Sequence, residues 1–420
     1  MDSSRFTLVF VVALTLSVAL RLWLDGRHLR HVVAHRDRVP AAFLGRIDLA
    51  DHRKAADYTA AKVRIGRIEV VVENILLLAL TLGGMLSVID QGLRIVLGSG
   101  YLHGLALFGS IGLVGFVVGL PTSLYRTFRV EARFGFNKLT WALWFADLAK
   151  SAALTVLIGA PLLLAVLWLM DAMGTYWWLY VWLVWLGTNL LALFLYPTLI
   201  APLFNKFTPL ENASLKQRIE ALLRRCGFAS SGLFVMDGSK RSAHGNAYFT
   251  GFGAARRIVF FDTLLEKLAP QEIEAVLAHE LGHFRHHHVI KRIALSGALS
   301  LALLWLLGEV LDQPWFYAGL GVGAGGTAPA ADTAVGLLLF SLVLPVFLFP
   351  LAPLSSALSR RHEYQADAYA ARQTAATDLI SALVKLYRDN AATLTPDPLH
   401  SLFHDSHPPA SRRIERLSIP

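Results

Sequence analysis

With a single cysteine, Cys226, in 420 residues, the chain can close no internal disulfide and can build no thiolate zinc site. Cys226 reads as a small, half-buried apolar residue. Charge is scarce as well. Asp, Glu, Lys and Arg make up 16% of the residues, against about a quarter in soluble domains. Apolar residues fill 55%, which points to a membrane protein with a soluble portion. No internal repeat is evident, and no small-residue cleavage site follows the first apolar run, Phe6 to Leu24. That run therefore reads as a retained helix and not as a signal peptide. The net charge of +9 suggests basic loops on the cytoplasmic side of a bilayer, with no nucleic-acid partner.

Seven apolar runs are long enough to cross a bilayer core. They lie at about Phe6–Leu24, Val70–Ile89, Leu102–Leu124, Ser151–Met170, Tyr176–Ile200, Ile293–Leu311 and Thr333–Leu358. Loops after the second, fourth and sixth carry Arg94 and almost no other base. Loops after the first, third, fifth and seventh hold nearly all the Lys and Arg, so the N-terminus is expected outside and the C-terminus inside. The chain then divides into spans one to five with two basic loops (1–200, loops 25–67 and 125–150), a polar segment (201–291), spans six and seven (292–358) and a C-terminal cytoplasmic segment (359–420). Within 201–291, Leu210–Cys226 reads as an amphipathic helix ended by Gly227, and Gly232–Asp237 as a strand. The stretches Asn246–Phe252 and Arg257–Asp262 read as a hairpin. Pro270 opens a further helix, with Glu272 and Glu274 in its first turn.

That last helix contains His279-Glu280-Leu281-Gly282-His283. Two imidazoles four residues apart share a helix face and can reach one ion, while Glu280 points to the neighbouring face beside any water held there. This is the zincin pattern, with the glutamate as general base. With 15 His in the chain, random order would produce it in roughly one such chain in seventy, so its surroundings must decide. A catalytic zinc needs a third protein ligand. The tail offers Glu363-Tyr364-Gln365-Ala366-Asp367, in which Glu363 and Asp367 share a face. Glu363 can complete the set, and Asp367 can accept the other ring N–H of a ligating histidine. A solvated face paired with Arg360, Arg361 or Arg372 is the competing reading. His362 faces elsewhere if Glu363 faces the metal, and His286, His287 and His288 read as polar residues next to a membrane.

The sequence resembles the type I CAAX prenyl endopeptidases, membrane zinc proteases that act on prenylated C-terminal CAAX proteins. The resemblance runs from Gly135-Phe136-Asn137 through Ala201-Pro202-Leu203-Phe204-Asn205-Lys206-Phe207, Asn246-Ala247-Tyr248-Phe249, the His279–His283 motif and Glu363–Asp367 to Ser406-His407-Pro408-Pro409 with Arg413. It implies one Zn²⁺ per chain on His279, His283 and Glu363, with Glu280 as general base and acid. It implies a substrate strand added beside Asn246, Ala247, Tyr248 and Phe249, with Asn246 touching substrate or the tetrahedral intermediate. His407 would donate to the oxyanion, and Arg413 would bind a substrate carbonyl or buttress the site. The expected fold is an all-α membrane protein: seven transmembrane helices enclosing a water-filled chamber that would accommodate Glu73 and Asn189, and a cytoplasmic, mainly α zincin domain with a small β-hairpin.

The expected function is integral-membrane zinc endopeptidase, acting on a peptide or protein substrate, prenylated or membrane-associated, in a lipid bilayer. The tail Leu417-Ser418-Ile419-Pro420 carries no dilysine or KDEL-type signal, which suits a bacterial inner-membrane homologue. A quality-control protease for misfolded membrane proteins shares the chemistry and is one alternative. A non-catalytic scaffold or transporter stabilised by metal is the other.

Overall fold

The structure is a computed structural model that describes residues 1–250, 257–323 and 332–419. The chain opens with α1 (Ser3–Ala34), α2 (Leu49–Leu80), α3 (Met85–Leu97) and α4 (Tyr101–Tyr125). Next come α5 (Trp141–Leu154), α6 (Ala160–Ala172), α7 (Trp177–Leu195) and the single turn α8 (Ala201–Phe204). Among the described residues, six helical stretches are long and apolar enough to cross a membrane, and a seventh joins them if α2 and α3 are counted as one span bent by 53°. The bend corrects the expected second span, Val70–Ile89. It falls at Thr81–Gly84, where the Gly83 N–H bonds back to the Leu78 carbonyl and Gly84 adopts φ +74, a conformation that costs glycine little. Helix α2 also starts well before Val70, so the basic segment 25–67, expected to be a partly helical loop, is helix from Leu49 onward. Phe6, Phe10 and Leu14 of α1 pack with Leu80, Leu86, Leu107 and Leu339 into one apolar cluster. Asn189 donates to the Trp185 carbonyl one turn back, so its amide is satisfied inside its own helix.

The polar segment folds as β1 (Phe207–Pro209), α9 (Ala213–Cys226), β2 (Gly232–Met236), β3 (Ala247–Thr250), β4 (Arg257–Phe261), α10 (Asp262–Lys267) and α11 (Pro270–Arg285). Asn212 caps α9 by accepting the Leu215 N–H, a contact worth about 1 kcal/mol, and Gly227 at φ +71 ends it as expected. The sheet order is β1-β2-β4-β3, with β2 and β4 parallel and β3 antiparallel to β4, Ala247 opposite Phe260. The strands expected at Asn246–Phe252 and Arg257–Asp262 are thus paired; the turn between them lies outside the described residues.

Helices α12 (His288–Leu311), α13 (Pro314–Gly319) and α14 (Thr333–Leu348) carry the chain away and back. A short 3-10 turn, Phe349–Leu351, joins α14 to α15 (Ala352–Gln373), so the seventh span runs straight into the tail helix. The prolines at 345, 350 and 353 sit inside this run without ending it. α16 (Ala376–Asp389), α17 (Pro398–His404) and α18 (Ala410–Leu417) complete the fold. Buried Ile219, Leu222, Ile258, Phe260, Leu277 and Leu281 form the core between sheet and helices, and Ala370 and Leu379 of the tail close it. Sequence-distant parts are therefore one apolar unit, held by burial of the faces that helical periodicity marked.

The segment around Phe136 docks the membrane part onto this unit. Its ring stacks on His244 at 4.3 Å, and its carbonyl accepts the Ala243 N–H. Arg241 makes a bidentate pair with Asp147 at 2.8 and 2.9 Å. His244 and the Gly245 N–H both meet the Asn390 side-chain oxygen at 3.2 Å. These contacts set where β3 begins.

Candidate metal centre

α11 forms because Pro270 starts it and Glu272 accepts the Ala269 N–H at 2.7 Å, closing its first turn. Glu272 also takes hydrogen bonds from Ser381 and Lys385 of α16, which ties the two helices. Ile273, Leu277, Ala278 and Leu281 are buried in the core, so the next strip round the helix, His279 and His283, turns toward α15. Gly282 makes this possible. A Cβ there would lie 2.8 Å from the Ala366 Cα, so the missing side chain lets the two helix backbones touch.

The close crossing brings Glu363 onto the histidine pair. His279 Nε2 and His283 Nε2 are 3.3 Å apart; Glu363 Oε2 lies 3.4 Å from the first and Glu363 Oε1 3.4 Å from the second, so the carboxylate faces both rings. Bonds of about 2.0–2.2 Å at tetrahedral angles put ligand atoms about 3.3–3.5 Å apart, so the three donors fit a four-coordinate ion. Glu363 Oε2 is buried, with His279 Nε2 at 3.4 Å and Arg413 Nη1 at 3.8 Å as long-range partners and no short hydrogen bond among the described residues. An ion between the donors would satisfy this buried anionic oxygen more closely. His362, one residue earlier, is turned away and stacks on His288 at 3.9 Å.

Each imidazole is held from behind. His279 Nδ1 lies 2.9 Å from Asp367 Oδ1, and Asp367 receives a bidentate pair from Arg413 at 2.6 and 2.8 Å. Arg413 is buried, and its guanidinium pairs with Asp367, with Glu363 Oε2 at 3.8 Å and His279 Nδ1 at 3.4 Å also beside it. This favours buttress over carbonyl binder, the two roles the resemblance left open. Burial pushes the His279 imidazolium down, but hydrogen bonds to Asp367 and Glu363 win and carry its pKa up to about 9. The position is thus built for positive charge, whether proton or metal.

His283 is oriented by a residue that the sequence reading set aside. Gln365 Oε1 accepts from His288 Nε2 at 2.8 Å, which leaves His288 Nδ1 as acceptor for His283 Nδ1–H at 3.0 Å. His283 Nε2 is then bare toward the ion position. The local signal was present: His288 is five residues beyond His283, at the start of the next helix.

A cavity of about 340 Å³ adjoins the trio, lined among others by Asn246, Ala247, Glu280, Glu363 and His407. The Glu280 carboxylate lines this cavity and has no hydrogen bond or ion pair among the described residues, so no neighbouring side chain holds it away from a group bound there. His407 Nε2 lies 3.4 Å from Glu363 Oε1, and its Nδ1 is 3.0 Å from Ser406 Oγ. The ring is open to the cavity, yet the protein around that cavity desolvates it and lowers its pKa. In the neutral ring, a Ser406 hydroxyl donating to Nδ1 would leave the proton on Nε2. Asn246 is exposed and its carbonyl accepts the Phe261 N–H. The four β3 candidates separate. Ala247 lines the cavity, Phe249 packs on Phe284 against the core, and Tyr248 sits edge-on to Phe261. Phe249 therefore serves packing through its side chain.

Residues 28–206 match the family profile described as CAAX prenyl protease N-terminal, five membrane helices, and residues 209–420 match Peptidase family M48. The chain is 38% identical to CAAX prenyl protease 1 of Saccharomyces cerevisiae over 323 residues, which is 74% of this chain and 71% of that one. It is 35% identical to the human CAAX prenyl protease 1 homolog over 72% of this chain and 70% of that one. The crystal structure of S. mikatae Ste24p superposes with a TM-score of 0.91 at 32% identity, covering 98% of this chain and 99% of the other. Sequence, architecture and the metal-ready trio agree, and the chain belongs to the M48 metallopeptidases, as a membrane metalloendopeptidase of the CAAX prenyl protease group.

Proposed function

We propose that the ion is zinc, held by His279, His283 and Glu363, and that the enzyme cuts prenylated or otherwise membrane-associated chains near their C-termini on the cytoplasmic side. The observation that carries this is the trio at 3.3–3.4 Å with the unpaired Glu280 in the adjoining cavity. Two imidazoles and a carboxylate suit zinc, which supplies Lewis acidity toward a water and a peptide carbonyl. Glu280 takes the proton from the attacking water and returns it to the leaving nitrogen. His407 Nε2–H donates to the oxyanion, a role whose loss typically costs about 10²–10³ in turnover. Asp367 and Arg413 keep His279 aimed, while His288 and Gln365 keep His283 aimed.

Substrate is held as an added strand. β3 is the terminal strand of the sheet among the described residues, and Asn246 and Ala247 at its start line the cavity. Main-chain pairing along that edge holds many sequences alike. The prenylated substrate class rests on the relatives named CAAX prenyl protease 1, and the cytoplasmic placement on the basic loops.

The test is Glu280→Gln. The variant should keep its zinc and lose at least about two orders of magnitude in turnover on a farnesylated CAAX peptide. Full activity in this variant would remove Glu280 from the chemistry. Preference of the wild type for an unfolded membrane protein over the farnesylated peptide would move the assignment to quality control.

A further inference from the structure

A second group of metal-type donors lies away from the His279 trio. His400 and His404 are four residues apart on α17, with ring centroids 4.3 Å apart. Asp25 of α1 faces them, its Oδ1 3.5 Å from His400 Nε2. One donor atom from each of the three lies within 4.8 Å of the others. This is again two imidazoles at helical spacing with a carboxylate brought from a distant helix.

Within the group the one close polar contact is that between Asp25 and His400. Asp25 is 15% exposed, and among the described residues its carboxylate accepts no hydrogen bond and has His400 as its one ion-pair partner. His400 Nδ1 is buried with no hydrogen-bond partner among the described residues. Arg21, one turn earlier on α1, is the obvious competing cation, but its guanidinium lies over the Phe349 ring at 4.3 Å and makes no ion pair with Asp25. A semi-buried carboxylate whose one partner is an imidazole, with a second, exposed imidazole beside it, leaves room for a cation.

The surroundings are rigid and accessible. His28 stacks on His400 at 4.0 Å, nearly parallel. Asp397 caps α17 by accepting the Leu399 and His400 N–H groups, and it pairs with Arg27 of α1 at 2.9 Å. α1 and α17 are therefore docked before any ion arrives, which lowers the cost of binding one. His400, His404 and His407 line a common cavity of about 410 Å³, which gives an entry path and space for water ligands.

We propose that Asp25, His400 and His404 form a second divalent-metal site, selective for zinc-type transition ions, on the cavity wall three residues from His407. Nitrogen donors in the majority favour such ions over magnesium or calcium. The site would cross-link the first membrane helix to the segment carrying His407.

The experiment uses the full chain in detergent with its purification tag removed. The protein is stripped with chelator and equilibrated with zinc chloride, and bound zinc is counted by mass spectrometry. Wild type should bind two zinc ions per chain. His400→Gln and Asp25→Asn should each bind one at full strength, with the second weakened at least about 100-fold. Each should keep its peptide-cleaving activity once the first ion is restored, which shows that it is folded. Glu363→Ala should lose the other ion and keep this one, so the two sites are read separately. A wild type that saturates at one equivalent overturns the proposal. So does a second equivalent that binds both His400→Gln and Asp25→Asn with wild-type affinity.

Discussion

Placing a methyl group at Gly282 tests whether the α11–α15 crossing is what assembles the metal centre. The alanine Cβ would sit 2.8 Å from the Ala366 Cα, 3.1 Å from its carbonyl oxygen and 3.2 Å from the Tyr369 Cβ. Carbon atoms in contact prefer about 3.5–4.0 Å, so the helices must separate by roughly 0.7–1 Å. Two of the obstructing atoms are backbone and cannot rotate aside. Metal–ligand distances tolerate only about 0.2 Å, and Glu363 rides on the helix that moves. Overpacking of this kind costs about 1–3 kcal/mol of stability, and a misplacement near 1 Å costs about 10² in rate. Gly282→Ala should therefore fold with a lowered melting temperature, hold zinc at least about tenfold more weakly, and cleave about 100-fold more slowly. Chelator competition and peptide cleavage on the same preparation read both effects. Gly66→Ala is the control, since a Cβ there meets nothing within 4 Å, and it should leave zinc affinity unchanged. A Gly282→Ala enzyme with wild-type zinc affinity and turnover would refute the claim that the backbone contact sets the ligand geometry.

Three further outcomes follow from the same geometry. Asp367→Asn should lower zinc affinity about 10–100-fold, because His279 exchanges a charged acceptor held by Arg413 for a neutral amide that cannot accept both Arg413 N–H groups; an unchanged affinity would make the Asp367 charge incidental. Apparent zinc affinity should rise with pH. In the ion-free protein His279 holds its proton up to about pH 9, so below that value zinc must displace it, and each unit of pH toward 9 should strengthen binding about tenfold per proton released before the curve flattens. A flat profile from pH 6 to 9 by calorimetry would contradict this. Asn390→Ala removes the acceptor for the Gly245 N–H and so loosens the start of β3. It should reduce kcat/KM about tenfold, the scale of one half-buried donor left unpaired, with zinc content unchanged; loss of zinc instead would place Asn390 in the metal site's support.

Much of the centre was readable because helical spacing is a local property. His279 and His283, like Glu363 and Asp367, are four apart, and any α-helix puts such pairs on one face. The apolar runs likewise declare themselves through length alone, and five soluble-segment elements fell where capping and turn residues put them. The break at Thr81–Gly84 escaped because Gly83-Gly84 sits inside an apolar run and a bend within such a run leaves its composition unchanged. His288 escaped for a different reason. It looked like one polar residue in a basic stretch, and its link to His283 depends on Gln365 arriving from a helix 77 residues away in the chain.

What the sequence determined by itself, then, was the set of donors and the lipid-compatible segments, since both are written in patterns shorter than about two helical turns. Tertiary structure alone decided which donors converge. The 3.4 Å approach of Glu363 to both histidines, the Arg413–Asp367 support and the gathering of Asp25 with His400 and His404 all join residues tens to hundreds of positions apart. Such contacts come from the packing of buried faces and the fit of backbones at positions like Gly282, and no local pattern encodes the distance between two helices.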